Sequence, residues 1–91
     1  MHISDVQMKR ITGAGALGVG RARIRALQVT TGASAGRLTI TDGSGGPVVL
    51  DLDFTPTSTV TMDMPGSGVL CVVDPVASVT TNVNAATIYY A

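Results

Sequence analysis

Apolar and polar residues alternate with a period of two along most of this chain, in short runs cut apart by Gly, Pro, Ser, Asn and Asp. That period is the mark of half-buried β-strands. The clearest run is 48–54, VVLDLDF, which sets Val48, Leu50, Leu52 and Phe54 on a core face and Asp51 and Asp53 outward. Residues 21–30, RARIRALQVT, set Arg21, Arg23 and Arg25 against Ala22, Ile24 and Ala26. Ala, Arg and Leu also suit a helix, but the strict alternation continuing into Val29 and Thr30 predicts a strand. Residues 37–42 place Leu38 and Ile40 together, and 58–64 place Val60, Met62 and Met64 inward with Thr59, Thr61 and Asp63 outward.

The run VLCVV at 69–73 has no polar face and predicts a central strand buried on both sides. Two more strands are expected at 76–81 and 86–90, the last tucking Tyr89-Tyr90-Ala91 into a sheet. Turns are expected at 32–36, at the Asp-Gly-rich stretch 42–47, at Thr55-Pro56 and at 65–68. Residues 13–20, GAGALGVG, read as a flexible loop, and residues 1–12 as an N-terminal arm or first strand. Seven or eight strands at regular spacing predict an all-β fold, an antiparallel β-sandwich or jelly roll over residues 13–91.

Composition narrows the functional range. A chain of 91 residues is one small domain with a thin stability margin, and oligomerisation is a common source of extra buried area. Phe54, Tyr89 and Tyr90 are its only aromatics, so Val, Ile, Leu and Ala must fill the core. There is no Glu or Trp, and a single His, His2, is expected in the exposed arm. Cys71 stands alone in an apolar run, which excludes an internal disulfide and predicts a small buried hydrophobe. With no His beside any of the many Ser and Thr residues, an enzyme is not expected, and neither a metal nor a cofactor is called for. The start of the chain has no apolar signal region and the longest apolar run is too short to cross a bilayer, so no membrane association and a cytoplasmic origin are expected.

Charge is segregated. Lys9, Arg10, Arg21, Arg23, Arg25 and Arg37 face a single acid, Asp5, in the first 37 residues, a net +5, while residues 38–91 carry −5 from Asp42, Asp51, Asp53, Asp63 and Asp74. Either basic strands lie beside acidic ones within the chain, or the basic part meets an acidic partner. Nucleic acid is disfavoured, because the cations are few and no aromatic interleaves them.

Three weaker patterns have ordinary explanations. Gly13 to Gly18 match G-x-G-x-x-G, but neither the preceding QMKRIT nor the alternating stretch that follows suits a dinucleotide-binding unit. Asp51, Asp53 and Asp63, or the Asp42–Ser44 turn, offer oxygens for Ca²⁺, yet alternation makes them solvated outer charges. One of Tyr89 and Tyr90 must point outward, a minimal platform for a sugar.

Three stretches carry a resemblance: GALGVGRARIRALQV, TITDGSGGPVVLDLDF, and MPGSGVLCVV with the closing VTTNVNAATIYYA. Together they resemble the small virion structural proteins of tailed bacteriophages of the marine podovirus type. The resemblance implies a compact β-sandwich displayed in many copies, with no catalytic residues. A capsid decoration or cement protein is therefore expected, located in the virion and binding the major capsid protein or other virion proteins. Lys9, Arg10, Arg21, Arg23 and Arg25 are its expected contact residues. A trimeric head-fibre, spike or tail component is the alternative, with cyclic packing covering a Leu27/Val29 face beside the arginines. A soluble sugar- or Ca²⁺-binding module is the other.

Overall fold

The computed structural model describes residues 6–91, so His2 and Asp5 lie outside the described residues. The chain forms β1 (Gln7–Ile11), β2 (Gly15–Ala16), β3 (Ala22–Thr31), β4 (Gly36–Asp42), β5 (Val48–Phe54), β6 (Thr59–Asp63), β7 (Val69–Cys71), β8 (Pro75–Thr81) and β9 (Val83–Tyr90). No helix occurs among the described residues.

The strands pair as one long antiparallel ribbon folded at the Asp-Gly-rich turn between β4 and β5. Its rungs are β4 with β5, β3 with β6 and β7, β2 with β8, and β1 with β9. The ribbon then wraps on itself by pairing β3 with β9 and β4 with β8. Two sheets result, in the orders β1-β9-β3-β6 and β2-β8-β4-β5, with β7 beside β3 next to β6. Taking β6 and β7 as one interrupted edge strand, this is the strand order of a jelly roll, one of the two sandwich forms the spacing predicted.

The interruption has a clear local cause. Ala26 pairs with Asp63 and Ile24 with Val69, so the Met64–Gly68 segment bulges away from the sheet. A Cβ on Gly68 would sit 2.4 Å from the Ile24 carbonyl oxygen, so only glycine lets the chain rejoin β3 this closely.

The core lies between the sheets. Ile24, Leu27, Val29 and Ile88 from the first sheet meet Leu38, Ile40, Phe54 and Ala77 from the second. A bulge at Arg25 decides the parity of β3. Ile24 pairs with Tyr90 and Ala26 with Tyr89, leaving Arg25 as the extra residue. Ala22 and Ile24 before the bulge, and Leu27 and Val29 after it, all therefore point inward. Ala26, expected inside, is turned to the outer face and only half-buried. The Leu27/Val29 face expected beside the arginines is instead core, both residues being 0% exposed within one chain.

Similar slips account for two more departures. Ile40 pairs with Leu50 but Thr41 with Val48, so Val49 is the bulged residue and packs on the core while Val48 is 59% exposed. VLCVV is not a central strand. Only Val69–Cys71 pairs, at a sheet edge, and Val72 and Val73 are exposed at 58% and 64%. Cys71 is fully buried, as its surroundings predicted. Burial, with the charges of Asp42 and Asp74 nearby, pushes its thiol up to about 11, far from nucleophilic range at neutral pH. The C-terminus is tied in as expected: Ala91 N donates to the Arg23 carbonyl and Arg23 N to that of Ala91, at 3.0 and 2.8 Å.

Because Leu27 is buried within one chain, Leu27→Ala will cost about 2–5 kcal/mol. Urea unfolding at two protein concentrations checks this: the loss is the same at both, whereas a residue buried between subunits would give a concentration-dependent one.

Candidate partner-binding surface

The connections of a jelly roll gather at two ends, and here each end is locked differently. At one end, residues 17–21, 43–47 and 72–74 meet. Asp42 at the tip of β4 accepts from the backbone N–H groups of Val72 (Oδ2, 2.9 Å), Val73 (Oδ1, 2.8 Å) and Asp74 (Oδ1, 3.4 Å). Asp74 in turn accepts from Gly18 (Oδ2, 3.0 Å), Val19 (Oδ1, 3.0 Å) and Gly20 (Oδ1, 3.1 Å). Its carbonyl also takes the Gly43 N–H at 2.8 Å. Gly18 and Gly20 hold φ of 74° and 73°, which lets consecutive N–H groups converge on one anion.

The glycine-rich stretch is therefore an ordered anion cradle, where a flexible loop was expected, and the anion it holds is the protein's own Asp74 carboxylate. Gly15–Ala16 of the same stretch pairs with β8. Unlike the phosphate-binding turn of a dinucleotide fold, the G-x-G-x-x-G stretch is followed by a strand, and its N–H groups are taken by Asp74. At the Asp42 turn, both carboxylate oxygens face backbone N–H donors. Those donors, Val72 first and then Val73, hold the Asp42 carboxyl below its ordinary pKa.

At the other end the lock is neutral. Thr31 Oγ1 donates to the Thr55 carbonyl at 2.8 Å and accepts from Ser58 N at 2.9 Å. Gly32 N donates to the Asn82 carbonyl at 2.9 Å, and Asn82 Nδ2 to that of Ala35 at 3.0 Å.

Between these ends lie the cations. Arg37 forms the single salt bridge among the described residues, a two-pronged contact from Nε to Asp51 Oδ1 at 3.0 Å and from Nη2 to Oδ2 at 2.8 Å. Thr39 Oγ1 adds a bond to Oδ1 at 3.0 Å. Arg37 and then Thr39 lower the Asp51 pKa. Lys9, Arg10, Arg21, Arg23 and Arg25 form no ion pair among the described residues.

Those five residues do not form one cluster. Arg21, Arg23 and Arg25 follow one another at the start of β3, beside the Asp74 cradle. Arg23 lies between the inward Ala22 and Ile24 and so belongs to the outer face of the first sheet. Arg25 reaches that face through its bulge. Arg10, opposite Thr87 on β1, shares the outer face two strands away, level with Gln28 and so several residues along β3 from the arginine row. Lys9 pairs with Ile88, whose side chain is in the core, and so takes the opposite face of the same edge strand.

Sequence reasoning missed what lies beside Arg25. The outer face holds an open groove of about 490 Å³ whose walls include Arg25, Ala26, Asp63, Met64 and Tyr89. Its carboxylate and ring make this part of the surface mixed, not simply basic. Tyr89 is the outward tyrosine, whereas Tyr90 OH donates to Gln7 Oε1 at 3.2 Å. Among the described residues no three His, Cys, Asp or Glu side chains converge as metal ligands.

No protein-family profile, curated protein or solved structure matches the chain.

Removing the Asp74 carboxylate leaves three N–H groups without their acceptor. Asp74→Ala will destabilise by about 2 kcal/mol, and hydrogen exchange will show faster loss of amide protons at Gly18, Val19 and Gly20 than at Thr31 or Ser58. Asp42 and Asp51 both have pKa values lowered by folding, so their stabilisation is complete above the ordinary carboxylate range, about pH 4, and is lost as pH falls through their folded values. Melting temperature should thus drop below about pH 4. Asp42→Asn should lower it at neutral pH and flatten that acid limb.

Proposed function

We propose that this protein is a non-enzymatic structural module used in many copies, and that it decorates a virion shell, binding the major capsid protein or a neighbouring virion protein. The observation that carries this reading is the row Arg21, Arg23 and Arg25, with Arg10 on the same face. Four cations without ion pairs among the described residues sit on one side of a jelly roll in which Asp42 and Asp74 hold loops and Asp51 is paired with Arg37. Cations left unpaired on a rigid sheet are suited to an acidic partner, where complementarity sets register and partner choice.

The two locked ends support the same reading. A protein that reinforces a shell acts by mass action, adding binding energy only to the assembled state. It does so best when its own loops need no ordering on contact. The resemblance of the Gly-rich and Asp-Gly-rich stretches to phage virion proteins points to the shell as the class of partner.

The fibre or spike alternative loses its original support, since Leu27 and Val29 are covered within one chain. A sugar-binding role keeps one observation in its favour, the Tyr89 ring in an open groove with Arg25 and Asp63.

Arg21→Asp, Arg23→Asp and Arg25→Asp together will abolish co-sedimentation with purified particles of the source phage, with the circular dichroism spectrum unchanged. Full occupancy by the triple variant would remove the arginine row from the contact, and a wild-type chain that never travels with particles would remove the virion reading.

A further inference from the structure

The two long sides of the sandwich are unlike each other. On one flank, among the described residues, β1 is the outermost strand of the first sheet and β2, joined to it by a short connection, that of the second. On the other, β5 and the β6–β7 edge lie together, β5 against β7. The β1 flank presents Met8, 65% exposed, followed by Lys9 and Arg10, with no acid among its described strand residues. The opposite flank presents Val48, 59% exposed, followed by Asp51 and Asp53 on β5, with Asp63 on β6. Arg37 offsets only one of those three acids by an ion pair.

Each of these edges is therefore a row of backbone donors and acceptors carrying an exposed apolar residue and one sign of charge. Such edges pair with other chains unless something prevents it. Here like meets like badly: β1 against β1 sets Lys9 and Arg10 against themselves, and β5 against β5 sets aspartates against aspartates. The unlike combination has matched charge and brings Met8 and Val48 to the same kind of contact.

We infer that copies of this chain associate side by side, the cationic β1 edge of one against the acidic β5 edge of the next. The contact is heterologous, so it does not stop at a dimer but continues into a ring or an open row. This gives a multi-copy module a way to contact its neighbours that leaves the arginine row of β3 free for another partner. It deepens the multi-copy reading above but is tested on the isolated chain, so particle binding and self-association succeed or fail separately.

The test is sedimentation velocity of the full-length chain over a wide concentration range, at about 20 mM and about 500 mM salt, where screening lengths differ several-fold. Species larger than a dimer are expected at high concentration and low salt, receding as salt rises. Lys9→Asp with Arg10→Asp gives a chain acidic on both flanks, and Asp53→Lys with Asp63→Lys one without its acidic flank. Each should remain monomeric alone, and an equimolar mixture should restore the large species. A wild type that stays monomeric at low salt overturns the inference, as does a symmetric dimer indifferent to the substitutions or a mixture that stays monomeric. Circular dichroism checks that each variant is folded. If one is not, the salt series on the wild type decides alone, and association that strengthens with salt overturns the inference.

Discussion

Two aspartates hold the end of this molecule on which its other features depend. The connections from β2 to β3, β4 to β5 and β7 to β8 all occur there, and beside the core contacts of Leu17 and Val19 it is the two carboxylates that tie them together. Asp42 gathers the N–H groups of residues 72–74, and Asp74, positioned by that contact, gathers those of residues 18–20. The order matters. The first carboxylate shapes the corner that aims the second, and the second fixes where β3 begins. Cys71 is sealed beneath this corner, and the arginine row starts directly after the cradle. Charge-assisted bonds to backbone are roughly twice as strong as neutral ones, which suits a small domain whose loops would otherwise be its weakest part.

Much of the fold was legible because the period-two pattern is a direct physical consequence of a pleated strand with one buried face. Strands β4, β5, β6 and β8 could be read from it within a residue or two, as could the turn residues between them. The class of sandwich followed from their number and spacing. What the pattern could not carry was parity across a bulge. One extra residue at Arg25 reverses which side chains of β3 face the core, and nothing in RARIRALQVT marks the place. The same limit misassigned Val48. VLCVV misled for a different reason: an all-apolar run looks like a doubly buried strand, but pairing stops at Cys71, and Val72 and Val73 lie in the exposed corner that Asp42 holds.

The candidate surface was legible only as a list of charges. Sequence separates six cations from most of the acids but says nothing about which of them meet. The structure pairs one, Arg37 with Asp51, across adjacent strands of a single sheet, and leaves five without ion pairs among the described residues. The clamps were hidden in plain view, since Asp42-Gly43 read as part of a turn and Gly18-Val19-Gly20 as part of a flexible loop. An anion cradle can be suspected from glycine spacing, but whether its anion is a ligand or the protein's own side chain depends on a contact between residues 54 to 56 positions apart.

That distinction bears on why the molecule's remaining charges face outward. Among the described residues Asp42, Asp51 and Asp74 are committed to internal contacts, and of the cations only Arg37 is. The neutral total thus conceals a surface with more free cations than free anions on the first sheet, and the reverse along the β5 flank. A molecule of this kind does not repel its own copies by net charge, and it can select relative orientation by where the uncommitted charges lie. Orientation is what a repeated building element needs, and rigid loops at both ends preserve it from copy to copy. The carboxylates that close the fold are thus not among the charges left to meet a neighbour, and Asp53 and Asp63 are.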